Sequence, residues 1–160
     1  MRKESEMAEL VVREVHEGEE AARREIVVAV TRELRGTYRP RENRVLCGRA
    51  PSGVLVALKE NAVVGTAEYL WQDHHIYVQG VAVHPEYRVR GVCRALLRGV
   101  EEIAKAERFR ALALSAVEET GNVEIFKNLG FKVVSRTIAP NHVSPSGGSV
   151  TQVDMERKIA

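Results

Sequence analysis

At 160 residues, with 44% hydrophobic and 29% charged side chains, the chain is long enough to bury one core without metal or disulfide staples. Its formal net charge of +2 argues against a long duplex-binding face, so no nucleic-acid partner is expected. Cys47 and Cys93 form no CxxC pair, and no histidine cluster stands at ligand spacing. Neither a metal nor a disulfide is therefore expected, and a reducing cytoplasm is the expected location. The start, MRKESEMAEL, is charged rather than apolar, and no stretch reaches the roughly 20 apolar residues of a membrane span.

One domain over residues 1–160 is expected, with a polar segment over about 1–9, no internal repeat and no linker. Residues 10–15 read as a first strand. Residues 18–34 read as a helix, with Ala22, Ile26, Ala29, Val30 and Leu34 at helical spacing, stopped near Gly36 and Pro40. Two strands, 54–58 and 63–71, flank Glu60-Asn61 as a hairpin. A third strand, 75–83, ends before Pro85. The period then changes: Val92, Leu96, Leu97, Val100, Ile103 and Ala104 share one face of a helix from Gly91 to about Glu107. A strand over 110–117, a short helix over 122–129 closed by Gly130, and strands over 131–138 and 150–158 complete the chain. Residues 139–149, rich in Pro, Ser and Gly, read as a loop. The order predicts an α/β fold, a mixed and mostly antiparallel sheet with helices on its faces.

The segment from Val81 to Leu97 carries the chemistry. Pro85 ends the strand because it has no N–H for a ladder. A short turn then leads into the strong helix, whose first N–H groups lack partners and whose dipole favours an anion. Gly91 clears a side chain from the point where a phosphate would approach the backbone. Arg88, Arg90 and Arg94 place three positive charges at a helix start, an arrangement that a bound anion relieves.

The pattern Val-x-Pro-x-Tyr-Arg-x-x-Gly-x-x-x-x-Leu-Leu resembles the acetyl-CoA signature of the GCN5-related N-acetyltransferase (GNAT) superfamily. Its core, Arg/Gln-x-x-Gly-x-Gly/Ala, corresponds to Arg88-Val89-Arg90-Gly91-Val92, with Cys93 at the final small-residue position. The element order is also that of the superfamily. The resemblance implies a splayed pair of central strands in which Val81, Ala82 and Val83 offer backbone groups to the pantetheine arm. The turn of Arg88, Val89, Arg90, Gly91, Val92, Cys93 and Arg94 would hold the pyrophosphate. The segment from Asn122 to Phe131 resembles the family's C-terminal motif, which adds Asn122 and Phe126 to the residues implied to contact coenzyme A.

The resemblance further implies an enzyme that transfers acetyl from acetyl-CoA to a primary amine of a small molecule or peptide by direct attack. No metal is involved, and a homodimer is compatible with the family. Phe126 departs from the usual tyrosine, which protonates the leaving thiolate; Ser115 is the substitute donor considered. Glu68 is the candidate base, on the strand before the splayed one, with His74 and His75 set at a turn. Cys93 is expected to pack, although a thiol at a helix start beside arginines is also placed for a lowered pKa. The alternative is a non-catalytic acyl-CoA-binding or sensing module. The basic stretch holding Arg32, Arg35, Arg39, Arg41 and Arg44 would border the acceptor, disfavouring a polycation such as a polyamine and favouring an acceptor that carries a carboxylate or phosphate.

Overall fold

A computed structural model describes residues 10–42 and 50–159; Cys47, Arg44 and segment 1–9 lie outside them. The elements run β1 Val11–Glu14, α1 Glu20–Leu34, β2 Arg39–Pro40, β3 Gly53–Lys59, β4 Ala62–Trp71 and β5 His75–Val83. They continue with α2 Val92–Ala106, β6 Ala111–Val117, α3 Asn122–Asn128, β7 Lys132–Val143 and β8 Ser149–Lys158. The eight strands form one sheet in the order β1-β3-β4-β5-β6-β8-β7-β2. Among the described residues only β5 and β6 are parallel neighbours; every other pair is antiparallel. This is the expected mixed α/β sheet.

Local chemistry explains the agreement. Glu60 and Asn61 both take positive φ, 51° and 69°, as a two-residue hairpin turn requires, so β3 and β4 pair as the expected hairpin, with one register shift between Ala57 and Leu58. Helix α2 buries Val92, Leu96, Leu97, Val100 and Ala104 against the sheet. They join Leu55, Ala67, Tyr69, Ile76, Val78, Leu112, Leu114 and Met155 in one apolar core. Each buried Leu contributes about 1.5–3 kcal/mol relative to exposure. Helix α1 packs on β4 and β5 from the opposite face, with Ile26 as its buried residue.

Two expectations needed correction. Most of residues 139–149 is strand: β7 continues through Pro140 to Val143, with irregular register between Ile138 and Val143 that accommodates the missing proline N–H. This extension is capped by β2, whose Arg39 and Pro40 pair with Val143 and His142. The first helix begins at Glu20, after a 3-10 turn at Glu17–Glu19. Among the described residues no helix is long and apolar enough to cross a membrane, and no three His, Cys, Asp or Glu side chains converge as a metal site would need.

That 3-10 turn is tied to β1. Both Arg13 terminal nitrogens donate to the Glu19 carboxylate, at 2.8 and 2.7 Å, and Glu19 Oε1 also accepts from the His16 N–H at 2.8 Å. Arg13 first, then the His16 amide, hold the Glu19 pKa down from 4.5 to about 2. A lowered carboxylate pKa stabilises the fold above the unfolded-state value, and that stability is lost as pH falls through the folded-state value. We expect Glu19→Gln to lower stability at neutral pH and to make the loss between about pH 4.5 and 2 shallower, measured by urea unfolding across pH. An acid limb identical to the parent's would refute the assignment.

Candidate active site

The parallel pairing of β5 with β6 is short. It covers His75↔Ala111, Ile76↔Leu112 and Tyr77↔Ala113, and no further rung follows. Up to Val83, β5 remains paired to β4, and up to Val117, β6 remains paired to β8. Past Tyr77 and Ala113, therefore, the two strands present edges to a gap in the middle of the sheet. The cause lies in β5. Its register with β4 shifts between Thr66↔Ala82 and Glu68↔Gln79, so Gly80 and Val81 together oppose Ala67. Gly80 takes φ +60°, a conformation L side chains rarely adopt. Such a bulge bends its strand and turns β5 away from β6.

Beyond the gap the chain turns at Pro85–Tyr87, held by the His84 N–H on the Val64 carbonyl and the Glu86 N–H on His84 Nδ1. Helix α2 starts at Val92 after Gly91, which has φ 82° and no side-chain cap. The first amide that closes a helical turn is Ala95, bonding the Gly91 carbonyl at 2.9 Å. The amides of Val92, Cys93 and Arg94 before it have no such partner among the described residues. Val89 stands fully exposed at φ +61°. A β-branched residue in the left-handed region is strained, and such strain concentrates at binding turns.

The arginines are not equivalent. Arg88 forms a two-pronged ion pair with Glu33 in the last turn of α1, at 2.7 and 2.8 Å. The Arg90 guanidinium lies 5.7 Å from the Tyr87 ring centroid, and Arg90 has no acid partner among the described residues. Cys93 is free and packs at the edge of the core, where burial pushes its thiol up to about 11. A reactive thiolate is thus not what the helix start produces here.

Glu68 faces α1. Its Oε1 accepts from Gln79 Nε2 at 2.9 Å, and its Oε2 lies 3.6 Å from Arg23. A Cβ on Gly80 would stand 3.6 Å from the Glu68 carboxyl carbon, so this carboxylate lies directly over the bulge. Ser115 is on β6 but directs its hydroxyl to Asp154 Oδ1 at 2.6 Å. Leu112 and Leu114 join the core beneath α2 and α3, so Ser115, the next residue in the alternation after Leu114, faces away from those helices. Phe126 packs edge-on to Phe131 at 5.9 Å, and Arg157 sits over the Phe131 ring. Asn122 opens α3, its N–H on Thr120 Oγ1. Helix α2 covers β3 to β5 and α3 covers β6, so these two helices flank the gap on one face.

His74 and His75 lie at the other, paired end of β5. They line a cleft of about 720 Å³ with Lys105, Arg110, Glu156 and Lys158. Arg23 and Asp154, which contact Glu68 and Ser115, lie in no recognisable motif, and the sequence alone does not single them out.

An unpaired sheet edge thus leads to an open helix N-terminus. The profile described as Acetyltransferase (GNAT) family matches residues 12–131, and the chain belongs to that family. A sequence search of the curated proteins finds no match. The fold recurs in a GCN5-related N-acetyltransferase from Kribbella flavida, with TM-score 0.70, 24% identity, and 93% of this chain and 97% of that one covered. It recurs in the ribosomal-protein-S18-alanine N-acetyltransferase from Escherichia coli, with TM-score 0.68, 14% identity and 95% of each chain covered. An aminoglycoside 6'-N-acetyltransferase complexed with coenzyme A gives TM-score 0.70 and 11% identity, with 94% of this chain and 97% of that one covered.

The strained turn generates a measurable expectation. Val89→Gly relieves a left-handed β-branched residue and is expected to raise stability by about 1 kcal/mol in urea unfolding, net of the added chain entropy. No gain would mean that the turn relaxes in solution.

Proposed function

We propose that the protein is an acetyl-CoA-dependent N-acetyltransferase acting on a primary amine of a small molecule or peptide. The observation that carries this reading is the gap between β5 and β6, whose free edge on Val81, Ala82 and Val83 leads straight to the uncapped start of α2. Extended pantetheine pairs with such an edge as a further strand would. The pyrophosphate takes the amides of the turn running through Arg88, Val89, Arg90, Gly91, Val92, Cys93 and Arg94, with Arg90 as the freer counter-charge. Asn122 and Phe126 on α3 flank the thiol end.

The chemistry needs little covalent help. A neutral amine attacks the thioester carbonyl carbon, its nitrogen forms the new C–N bond, and the C–S bond breaks to release a thiolate. A backbone N–H on the bulged strand stabilises the developing oxyanion. Glu68, over the bulge, takes the surplus amine proton directly or through a water; its carboxylate has acceptor positions beyond those used by Gln79 and Arg23. Ser115 spends its proton on Asp154, which leaves water as the simpler donor to the thiolate.

Calorimetry with coenzyme A, and free-thiol release from acetyl-CoA across an amine panel, test the reading. Absence of coenzyme A binding sinks it. Arg90→Glu is expected to weaken coenzyme A binding about 10- to 100-fold, the loss of a charged hydrogen bond or more, with an intact fold. Unchanged affinity would remove the pyrophosphate from this turn.

A second reading, a non-catalytic acyl-CoA-binding module, is favoured by Phe126, which has no proton to give. It requires tight binding and no turnover on any amine. Phe126→Tyr separates the two: in an active enzyme limited by thiolate protonation, kcat rises about tenfold or more while KM for acetyl-CoA changes little. Equal kcat in both proteins would show that the leaving group needs no donor at this position.

A further inference from the structure

One face of the sheet carries a charge that acetyl transfer itself does not use. Register places Glu68 opposite Gln79, and Tyr77, two residues earlier, opposite Ala113. Ser115 comes two residues after Ala113 and pairs with Asp154, which in turn pairs with Ser135. Since strand side chains alternate, Glu68, Gln79, Tyr77, Ser115, Asp154 and Ser135 share the face on which α1 lies. Helix α1 packs on β4 and β5, whereas the helices packed on β6 lie on the other face. Asp154 therefore sits beyond the strands that α1 mainly covers, separated from the gap by the width of β6.

Its surroundings are unusual for a partly buried carboxylate. Oδ1 accepts from Ser115 at 2.6 Å and from Gln152 Nε2 at 3.1 Å, and Oδ2 accepts from Ser135 at 3.0 Å. All three donors are neutral, and they come from three adjacent strands. Among the described residues no Lys, Arg or His forms an ion pair with it. Burial raises its pKa and the three hydrogen bonds lower it, with a net shift downward, so the group is ionised at neutral pH. Neutral donors orient a carboxylate without cancelling its charge, and an ionised carboxylate keeps a further acceptor position. Asp154 is of intermediate exposure, so it stays open to a ligand, and the three neutral donors fix its position while leaving its charge uncancelled.

We propose that Asp154 determines acceptor specificity by anchoring a second cationic group, an ammonium or guanidinium, on the amine that is acetylated. The inference rests on the transferase reading. Two strand spacings separate β5 from β8, roughly 10 Å before the splay is counted, so the anchored cation lies about six or more bonds from the reacting nitrogen. The basic corner does not oppose this. Arg35 lies over Tyr38, and Arg39, paired through β2 to Val143, bonds the Pro145 carbonyl. Val143 faces Ser149, five residues along β8 from Asp154, roughly 17 Å away. A dication with one distant charge fits; a polycation reaching that corner does not.

The test compares kcat/KM of the wild-type protein for 1,6-diaminohexane, agmatine, hexylamine and 6-aminohexanoate with acetyl-CoA as donor. The two dications are expected to exceed the other two by tenfold or more, through KM. Asp154→Asn is expected to bring the four within about twofold, with KM for acetyl-CoA unchanged; Ser115→Ala, which keeps the charge, retains most of the preference. Wild-type preference for hexylamine or 6-aminohexanoate overturns the proposal even if Asp154→Asn does not fold, as does an equal loss for all four amines in that variant. Turnover of none of the four overturns the proposal, and free-thiol release from acetyl-CoA with another amine of the wider panel then shows that the transferase reading stands without it.

Discussion

The open middle of this sheet depends on three rungs of parallel pairing giving way to none. A parallel pair in mid-sheet is normally the most buried part of an α/β fold, its polar groups saturated along its length. Between β5 and β6 the ladder stops after Tyr77 and Ala113. The free N–H and C=O groups that result are a fixed cost unless something else bonds them. The bulge at Gly80 makes the departure a property of one strand's backbone, while β4 on one side and β8 on the other hold each half of the sheet in register.

The site is then an intersection of two incomplete structures, a strand lacking a neighbour and a helix lacking a cap. Each incompleteness is local, and under the proposed function one extended ligand, amide-bearing in the middle and anionic at the end, would complete both. Side chains play a smaller part. Among the described residues Arg90 and Arg94 have no acid partner, Cys93 is packed at the edge of the core, and Phe126 contributes a ring that braces Phe131.

Much of the frame was legible because each element announced itself with its own period. The bounds of β5 and the apolar stripe of α2 could be read almost residue by residue, and Glu60-Asn61 marked the hairpin. What could not be read depends on partners distant in sequence. Residues 139–149 look like a loop because Pro140, Asn141 and the Ser-Gly run discourage regular structure, yet two residues of β2, a hundred positions earlier, pair with the end of β7. Arg88 looked like a free cation until α1 supplied Glu33 from 55 positions away. Asp154 carries no motif at all; its meaning comes from hydroxyls on β6 and β7 that only sheet order brings beside it.

The Arg88–Glu33 pair has a consequence for where the turn is held. Glu33 is an acid in the last turn of α1, where the helix dipole is unfavourable to it, and Arg88 offsets that. Both side chains are largely exposed, so the pair adds little to stability, and its effect is one of position: it fastens the turn before α2 to the end of α1, two segments 55 positions apart that lie on opposite sides of the sheet's middle strands.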